Sequence, residues 1–340
     1  MSEFETVRGF EDVWRPPARP RQVRPLAILP ARGSGTGGDV RARLTRVVNR
    51  VPEVMVKVTG RTREAGRVRA HLDYISRNGT LELEDRDGGI LDGREAVKEL
   101  AEDWEAAAML DSRRRANTPF SHSVMLSMPA GTDATVVRDA ARAFAQEVFA
   151  ERFDYVFALH TDAEHPHVHI AIRSLGDGGV RLNPRKADLE TWRQVFAQAL
   201  RDRGVEAEAT PRRARGVTRT PERTSLRKIR ERHEAGQSEP ARVRRAAYQN
   251  AAKAAFGVGA GRTRWEERLV EQQAKIRGLY LAQAHLLERS ADPVDQALGA
   301  KVEAFLRAMP APDSQRLALA RELRAGVQVA RAGRDRENER

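Results

Sequence analysis

The chain has 340 residues, no cysteine and a formal net charge of +12. The absence of thiols excludes disulfides, thiolate metal or iron–sulfur sites and a cysteine nucleophile. No run of about 18 apolar residues is available to insert in a membrane and no basic-then-apolar leader pattern opens the chain, so a cytoplasmic protein with an anionic partner, nucleic acid first, is expected.

The charge is unevenly placed. Residues 1–50 carry net +5, residues 51–210 net −5 and residues 211–340 net +12. Three regions follow: a basic, largely flexible N-terminal arm (1–50), a central domain (51–210) and a basic helical C-terminal region (211–340). In the arm, the Pro/Arg stretch after Trp14 and the glycine-rich run from Gly33 read as linker. Val40, Leu44 and Val48 at helical spacing predict a short helix from Asp39 to about Asn49.

In the central domain, Val54, Val56 and Val58 alternate with polar neighbours and predict a strand. Residues 67–77 follow as a helix with Val68, Leu72 and Ile75 on its apolar face, ended by Asn78-Gly79. A short strand at 81–83, a helix over 94–110, a strand over 120–128 and a helix over 134–149 come next. Two strands, 154–160 and 167–174, flank a tight turn. A short strand at 180–182 and a helix over 189–201 close the region. The fold class is α+β: a central, mainly antiparallel sheet of about five strands with helices packed on one side. Strand signals vanish after residue 205. An arginine run follows, with Arg212, Arg213, Arg215 and Arg219 placed to track phosphates. A long amphipathic helix over 264–288 then carries Trp265, Leu269, Ile276, Tyr280 and Leu287 on an apolar stripe, so the C-terminal region is all-helical.

Four of the eight histidines fall in one window, His160-Thr-Asp162-Ala-Glu-His165-Pro-His167-Val-His169. Residues i and i+2 of a strand share a face, so His167 and His169 project together. The turn at 163–166 can bring His160 beside them. Three imidazoles on one patch make a facial ligand set with open positions, as a catalytic metal needs. His165 has the same parity, but Pro166 assigns it to the turn. Tyr74 and Arg77, at i and i+3, share another helix edge. A phenol beside a guanidinium can serve as nucleophile and phosphate-neutralising group.

Taken in order, Leu72-Asp-Tyr74-Ile-Ser-Arg77-Asn-Gly79, then Phe120-Ser-His122-Ser-Val-Met-Leu-Ser127-Met-Pro-Ala-Gly131, then the histidine window resemble the mobilisation relaxases of conjugative plasmids. Within that group they are most similar to the T-DNA border endonuclease-like members of the His-hydrophobic-His endonuclease superfamily. The resemblance covers roughly residues 52–215. It implies that Tyr74 is the nucleophile that nicks one DNA strand at a transfer origin and becomes linked to a 5′-phosphate. It implies further that His160, His167 and His169 hold Mg²⁺ or Mn²⁺, and that Asp162 orients a ligand imidazole or helps to deprotonate the tyrosine. His122 lies in the less specific middle motif, where activation, positioning and a purely structural role all stay open. His165 stands where many family members have Asn. Single-stranded and supercoiled DNA, relaxosome accessory proteins and a type IV secretion coupling protein are the implied partners, with export of the protein covalently bound to DNA. A rolling-circle initiator or transposase of the same superfamily is the alternative enzyme, although such proteins often pair two tyrosines on one helix. A non-catalytic DNA-binding accessory protein is the alternative outside enzymes.

Overall fold

The computed structural model describes residues 4–14, 37–219, 222, 224–257 and 261–338. The Pro/Arg stretch and residues 33–36 of the glycine-rich run lie outside the described residues, as do the side chains of the last arginines, whereas Gly37 and Gly38, expected in the linker, open the first helix. Two compact units form: Pro16–Thr210, and Met1–Arg15 together with Pro211–Arg340.

The first unit begins with α1 (Gly37–Val48), which buries Val40, Leu44 and Val47. There follow β1 (Met55–Thr62), α2 (Arg67–Ile75), β2 (Leu83–Asp85), β3 (Ile90–Leu91), α3 (Gly93–Leu110), β4 (Ser121–Ser127), α4 (Ala134–Val148), β5 (Tyr155–His160), β6 (His167–Arg173) and α5 (Lys186–Arg201). The six strands are ordered β1-β4-β6-β5-β2-β3, and every neighbouring pair is antiparallel. The additional strand is the two-residue β3. It pairs with β2 across a turn in which the Asp85 carboxylate accepts from the backbone N–H of Asp87 (2.9 Å) and Gly89 (2.7 Å), the local bonding that makes Asp a turn former. The segment 180–182 is no strand: a single bridge joins Leu175 to Arg181.

Helices cover both faces of the sheet, not one. On one face, Val56, Val124, Leu126, Val168, Ile170, Ile172, Tyr155 and Phe157 pack against α4 and α5. On the other, Val156, Ala158 and Ala171 meet Val68, Leu72 and Ile75 of α2 and Val97, Ala101 and Trp104 of α3. Alternation along β5 and β6 therefore separates two apolar layers, with small residues on the side where α2 comes close.

In the second unit, α6 (Thr224–Glu234), α7 (Arg242–Phe256), α8 (Arg264–Glu288), α9 (Pro293–Arg307) and α10 (Gln315–Asn338) follow a 3-10 turn at Arg212–Arg215. α8 packs on α9, and α7 on α10. Residues 4–14, expected within a largely flexible arm, are packed here. Phe10 is fully buried, with its ring edge-on to Tyr280 at 5.5 Å. Gln283 takes the Val7 N–H (2.8 Å) and donates to the Glu5 carbonyl (3.0 Å). The stripe expected on α8 also shifts. Trp265 is exposed, and Glu266 is buried in its place, held by Arg316 and Ser314.

The α4–α5 layer centres on Phe144, fully buried with its ring edge-on to Phe149, Trp192 and Phe196 at 5.9–6.3 Å. Phe144→Ala should cost about 3–5 kcal/mol of stability, read as a lowered denaturant midpoint.

Candidate active site

Across the β5–β6 ladder His160 is opposite His167, and Ala158 is opposite His169. Opposite residues of an antiparallel pair share a face, so the three imidazoles rise from one side of the sheet. Their ring centroids lie 5.3 Å (160–167), 4.7 Å (160–169) and 5.2 Å (167–169) apart. On the other side of β6, Ser127 is paired with His167 and Met125 with His169. His160 and His169 are buried, and His167 is half-buried.

The hydrogen bonds fix the tautomers. His160 Nε2 donates to the Ile75 carbonyl at 2.7 Å, so Nδ1 is left with its lone pair. His167 Nδ1 donates to the His165 carbonyl at 3.0 Å, which frees Nε2. Burial, and then the neighbouring imidazoles, push the His169 pKa down to about 3; burial also lowers that of His160. These two rings are thus held neutral, as ligation requires. One ring nitrogen from each of His160, His167 and His169 lies within 4.8 Å of the others. Three imidazoles at this spacing fit a divalent metal, and the carbonyl partners of His160 and His167 are of the kind that orient metal ligands. His165 contributes its backbone carbonyl, while its exposed side chain stays outside the set.

α2 delivers the tyrosine. Val68, Leu72 and Ile75 are fully buried against the sheet, and this turns Tyr74 toward the rim. Tyr74 is 54% exposed, with its ring 5.6 Å from His169 and 6.3 Å from His160. The helix was expected to run to Arg77 but ends at Ile75. Arg77, Asn78 and Gly79 are then successively left-handed, with φ of 51°, 57° and 78°. For the first two this is an uncommon backbone state. Asn78 N–H closes the turn on the Asp73 carbonyl at 2.7 Å. Only glycine fits at 79, where a Cβ would stand 2.6 Å from the Arg94 nitrogen. The turn aims the Arg77 guanidinium at His160 Nδ1 (3.2 Å), into an ion pair with Asp162, and to 5.3 Å from the Tyr74 ring centroid. Asp162 therefore meets Arg77; its expected contact with an imidazole or with the phenol is not made.

The structure brings Tyr74, Arg77, His160, Asp162, His167 and His169 together. It leaves His122 out. In β4, His122 is opposite Ile172, on the α4–α5 face of the sheet, where its Nδ1 meets Ser174 Oγ at 2.8 Å. The one-residue offset from Ser123 decides this, because successive strand residues point to opposite faces. Arg212, Arg213, Arg215 and Arg219 belong to the second unit. Arg212 and Arg219 are exposed there, whereas Arg213 donates to the Asp12 carbonyl at 3.2 Å. Sequence reasoning passed over His71, one turn before Tyr74 on α2, whose Nε2 meets Ser123 Oγ. The spacing of His71 and Tyr74 at i and i+3 was the available signal.

His71 and His122 are both pushed to a pKa of about 4, chiefly by burial, while an unfolded histidine titrates near 6.5. Below pH 6.5 the unfolded chain therefore binds more protons than the folded one. Stability should be fully present above pH 6.5 and fall as the pH drops toward 4, by up to about 1.4 kcal/mol per pH unit for each histidine. Denaturant unfolding of His122→Gln across this range should show a shallower decline than the parent chain.

Residues 74–205 match the family model of the relaxase nuclease domain, MobA/VirD2-like. The T-DNA border endonuclease VirD2 of Rhizobium radiobacter is 29% identical over 188 residues, covering 50% of this chain and 44% of that protein. The protein of the same description from Agrobacterium fabrum is 28% identical over 188 residues, covering 50% of this chain and 42% of its own length. The chain thus spans less than half the length of these relatives. A solved structure described as "Molecular Basis of Vancomycin Resistance Transfer in Staphylococcus aureus" overlaps 47% of this chain and 99% of its own, with a TM-score of 0.31 and 15% identity; so loose an overlap carries no functional argument. With Tyr74 at the first matched position and all three clustered imidazoles inside the match, residues 74–205 are similar to the nuclease domain of MobA/VirD2-like relaxases.

Proposed function

We propose that this protein is a site- and strand-specific DNA relaxase with Tyr74 as nucleophile. The observation that carries the reading is the placement of an accessible phenol against three clustered imidazoles and a guanidinium. The Tyr74 oxygen attacks the scissile phosphorus. The bond from phosphorus to the 3′ oxygen breaks, the 3′ oxygen leaves as a hydroxyl after taking up a proton, and the strand stays linked through its 5′-phosphate to the tyrosine. Because one phosphodiester replaces another, the free 3′-hydroxyl can reverse the step and reseal the strand.

Arg77 supplies positive charge beside the attacking phenol. Its bond to Asp162 is exchanged for one to the phosphate, and Asp162 keeps the guanidinium aimed in the meantime. The Ile75 carbonyl holds the His160 ring in register. Bound by His160, His167 and His169, a divalent ion would stabilise charge on the non-bridging phosphate oxygens. Three imidazoles suit Mn²⁺ better than Mg²⁺ on ligand softness. A single tyrosine on α2 favours a relaxase over an initiator or transposase that pairs two. Of the others, Tyr155 and Tyr280 are buried, and Tyr248 lies in the second unit. Conjugative transfer, relaxosome accessory proteins, a type IV coupling protein and export while attached to DNA extend this reading from the family resemblance. Arg212, Arg213, Arg215 and Arg219 extend it as further phosphate contacts.

A random-sequence substrate tests this whatever the sequence of the origin. The protein is incubated with Mn²⁺ and a random-sequence single-stranded DNA pool, and protease-sensitive covalent adducts are captured and sequenced. Adducts sharing one cleavage sequence are expected. Tyr74→Phe should abolish them while leaving DNA binding intact, and adducts that persist in it would overturn the nucleophile assignment. The double variant His167→Ala/His169→Ala should lose Mn²⁺ binding by calorimetry and at least a hundredfold of cleavage. Unchanged cleavage would remove the metal from the reaction.

A further inference from the structure

A separate group of metal-ligating side chains stands in the second unit, where the reaction above uses nothing. His285 and Glu288 lie three residues apart on α8, and Glu303 rises from α9. The two helices are joined by residues 289–292 and pack on each other, the arrangement of a helical hairpin. Ala284 and Leu287 of α8 and Leu298, Val302 and Phe305 of α9 are buried. Gly299 lets the backbones come close: a Cβ there would stand 2.9 Å from the Ala284 carbonyl oxygen and 2.9 Å from Glu288 Cγ. Residues three or four apart share a helix face. His285 and Glu288 therefore project together from α8, and Glu303 stands one turn beyond the close approach on α9.

The spacing of the donors suits one cation. A ligand atom from each of the three residues lies within 4.8 Å of the others. His285 Nε2 and Glu303 Oε1 are 3.7 Å apart, too far for a hydrogen bond. That separation is close to the roughly 3.3 Å between two ligands that each sit about 2.0–2.1 Å from one tetrahedral metal. His285 and Glu288 are exposed and Glu303 is half-buried, so small side-chain rotations can close the set while the helices stay fixed. Arg307 reaches the other oxygen of Glu303, Oε2, at 3.9 Å from a side chain that is 75% exposed. Such a pair is weak and leaves Oε1 to a ligand. One imidazole nitrogen with two carboxylate oxygens is a donor set that Zn²⁺ accepts. Mg²⁺ and Ca²⁺ prefer oxygen alone, and Mn²⁺ stands lowest in the Irving–Williams order, so it loads such a site weakly.

We propose that His285, Glu288 and Glu303 form a Zn²⁺ site whose ion ties α8 to α9. The assignment does not depend on the relaxase reading. Three protein ligands leave the remaining coordination to water. The role that follows is bracing. On the same stretch of α8, Tyr280 packs on Phe10 and Gln283 bonds the backbone of Val7 and Glu5. An ion shared with α9 would steady the seat of this N-terminal segment. The three ligands meet only when the hairpin is folded, so the binding free energy adds to the stability of the unit.

The experiment uses the full chain carrying His167→Ala/His169→Ala, so that the imidazole set at the sheet does not contribute. Zn²⁺ is titrated into the metal-free protein by calorimetry, and thermal unfolding is followed with Zn²⁺ and with EDTA. One saturable Zn²⁺ is expected, with a thermal midpoint raised by Zn²⁺ and returned by EDTA. Adding His285→Gln/Glu288→Gln, or Glu303→Gln alone, should weaken binding by more than the roughly tenfold that loss of an outer partner of a metal ligand costs, and should remove the rise in midpoint. These exchanges keep side-chain size at exposed or half-buried positions, so the fold survives them. His233→Gln, which removes the other histidine of residues 211–340, should change neither readout. The absence of saturable Zn²⁺ binding would overturn the site, as would binding that survives His285→Gln/Glu288→Gln. Loss with that pair but parental binding in Glu303→Gln would overturn the bridge, because the ion would then rest on α8 alone.

Discussion

One buried hydrogen bond organises the site. The carbonyl of Ile75, at the last residue of α2, accepts the proton of His160 Nε2. A helix leaves its final carbonyls without intrahelical partners, and here one of them is satisfied by the ring at the end of β5. The bond locks the helix end to the sheet, chooses the tautomer of His160, and sets the distance between Tyr74 and the imidazoles. Without it, the phenol and the imidazoles would be tied only by the hydrophobic packing of Val68, Leu72 and Ile75, which fixes position less sharply than a directed bond.

Small side chains make that bond reachable. Ala158 and Ala171 floor the face on which α2 lies, whereas the opposite face carries the bulk of Tyr155, Phe157 and Ile170. The alternation thus makes the sheet asymmetric: one layer is filled by large side chains under α4 and α5, the other by small side chains that let the short α2 come close, with α3 packed beside it. His122 and Ser123 show how completely one position decides the outcome. Neighbours in sequence, one is sealed behind the sheet against Ser174, and the other meets His71 in front of it.

Much of this was legible in the chain. Period-two alternation of Val54, Val56 and Val58 marked β1. The parity of His167 and His169, with a third histidine across a turn, located the imidazole cluster from the sequence alone. What was illegible had specific physical causes. β3 is too short to show a period. The coverage of both sheet faces depended on which helix goes where, which alternation alone does not state. The side to which His122 points required the strand's register. The placement of Arg77 came from a left-handed turn, although the Asn78-Gly79 pair did announce that some turn was there. Trp265 was misplaced because an apolar ring outweighed a buried glutamate in the pattern. The partners that make Glu266 tolerable, Ser314 and Arg316, lie 48 and 50 residues away.

Tyr74 stands on the rim of its site, half open to solvent, while the imidazoles behind it are sunk into the sheet. As the proposed nucleophile, a phenol so placed would work as a mooring post and not as the floor of a closed chamber. In the proposed reaction, the strand that becomes attached to it points outward from the moment the bond forms. No lid has to open to release it, and no length of polymer has to be enclosed. On that proposal, the one covalent knot is tied at the edge.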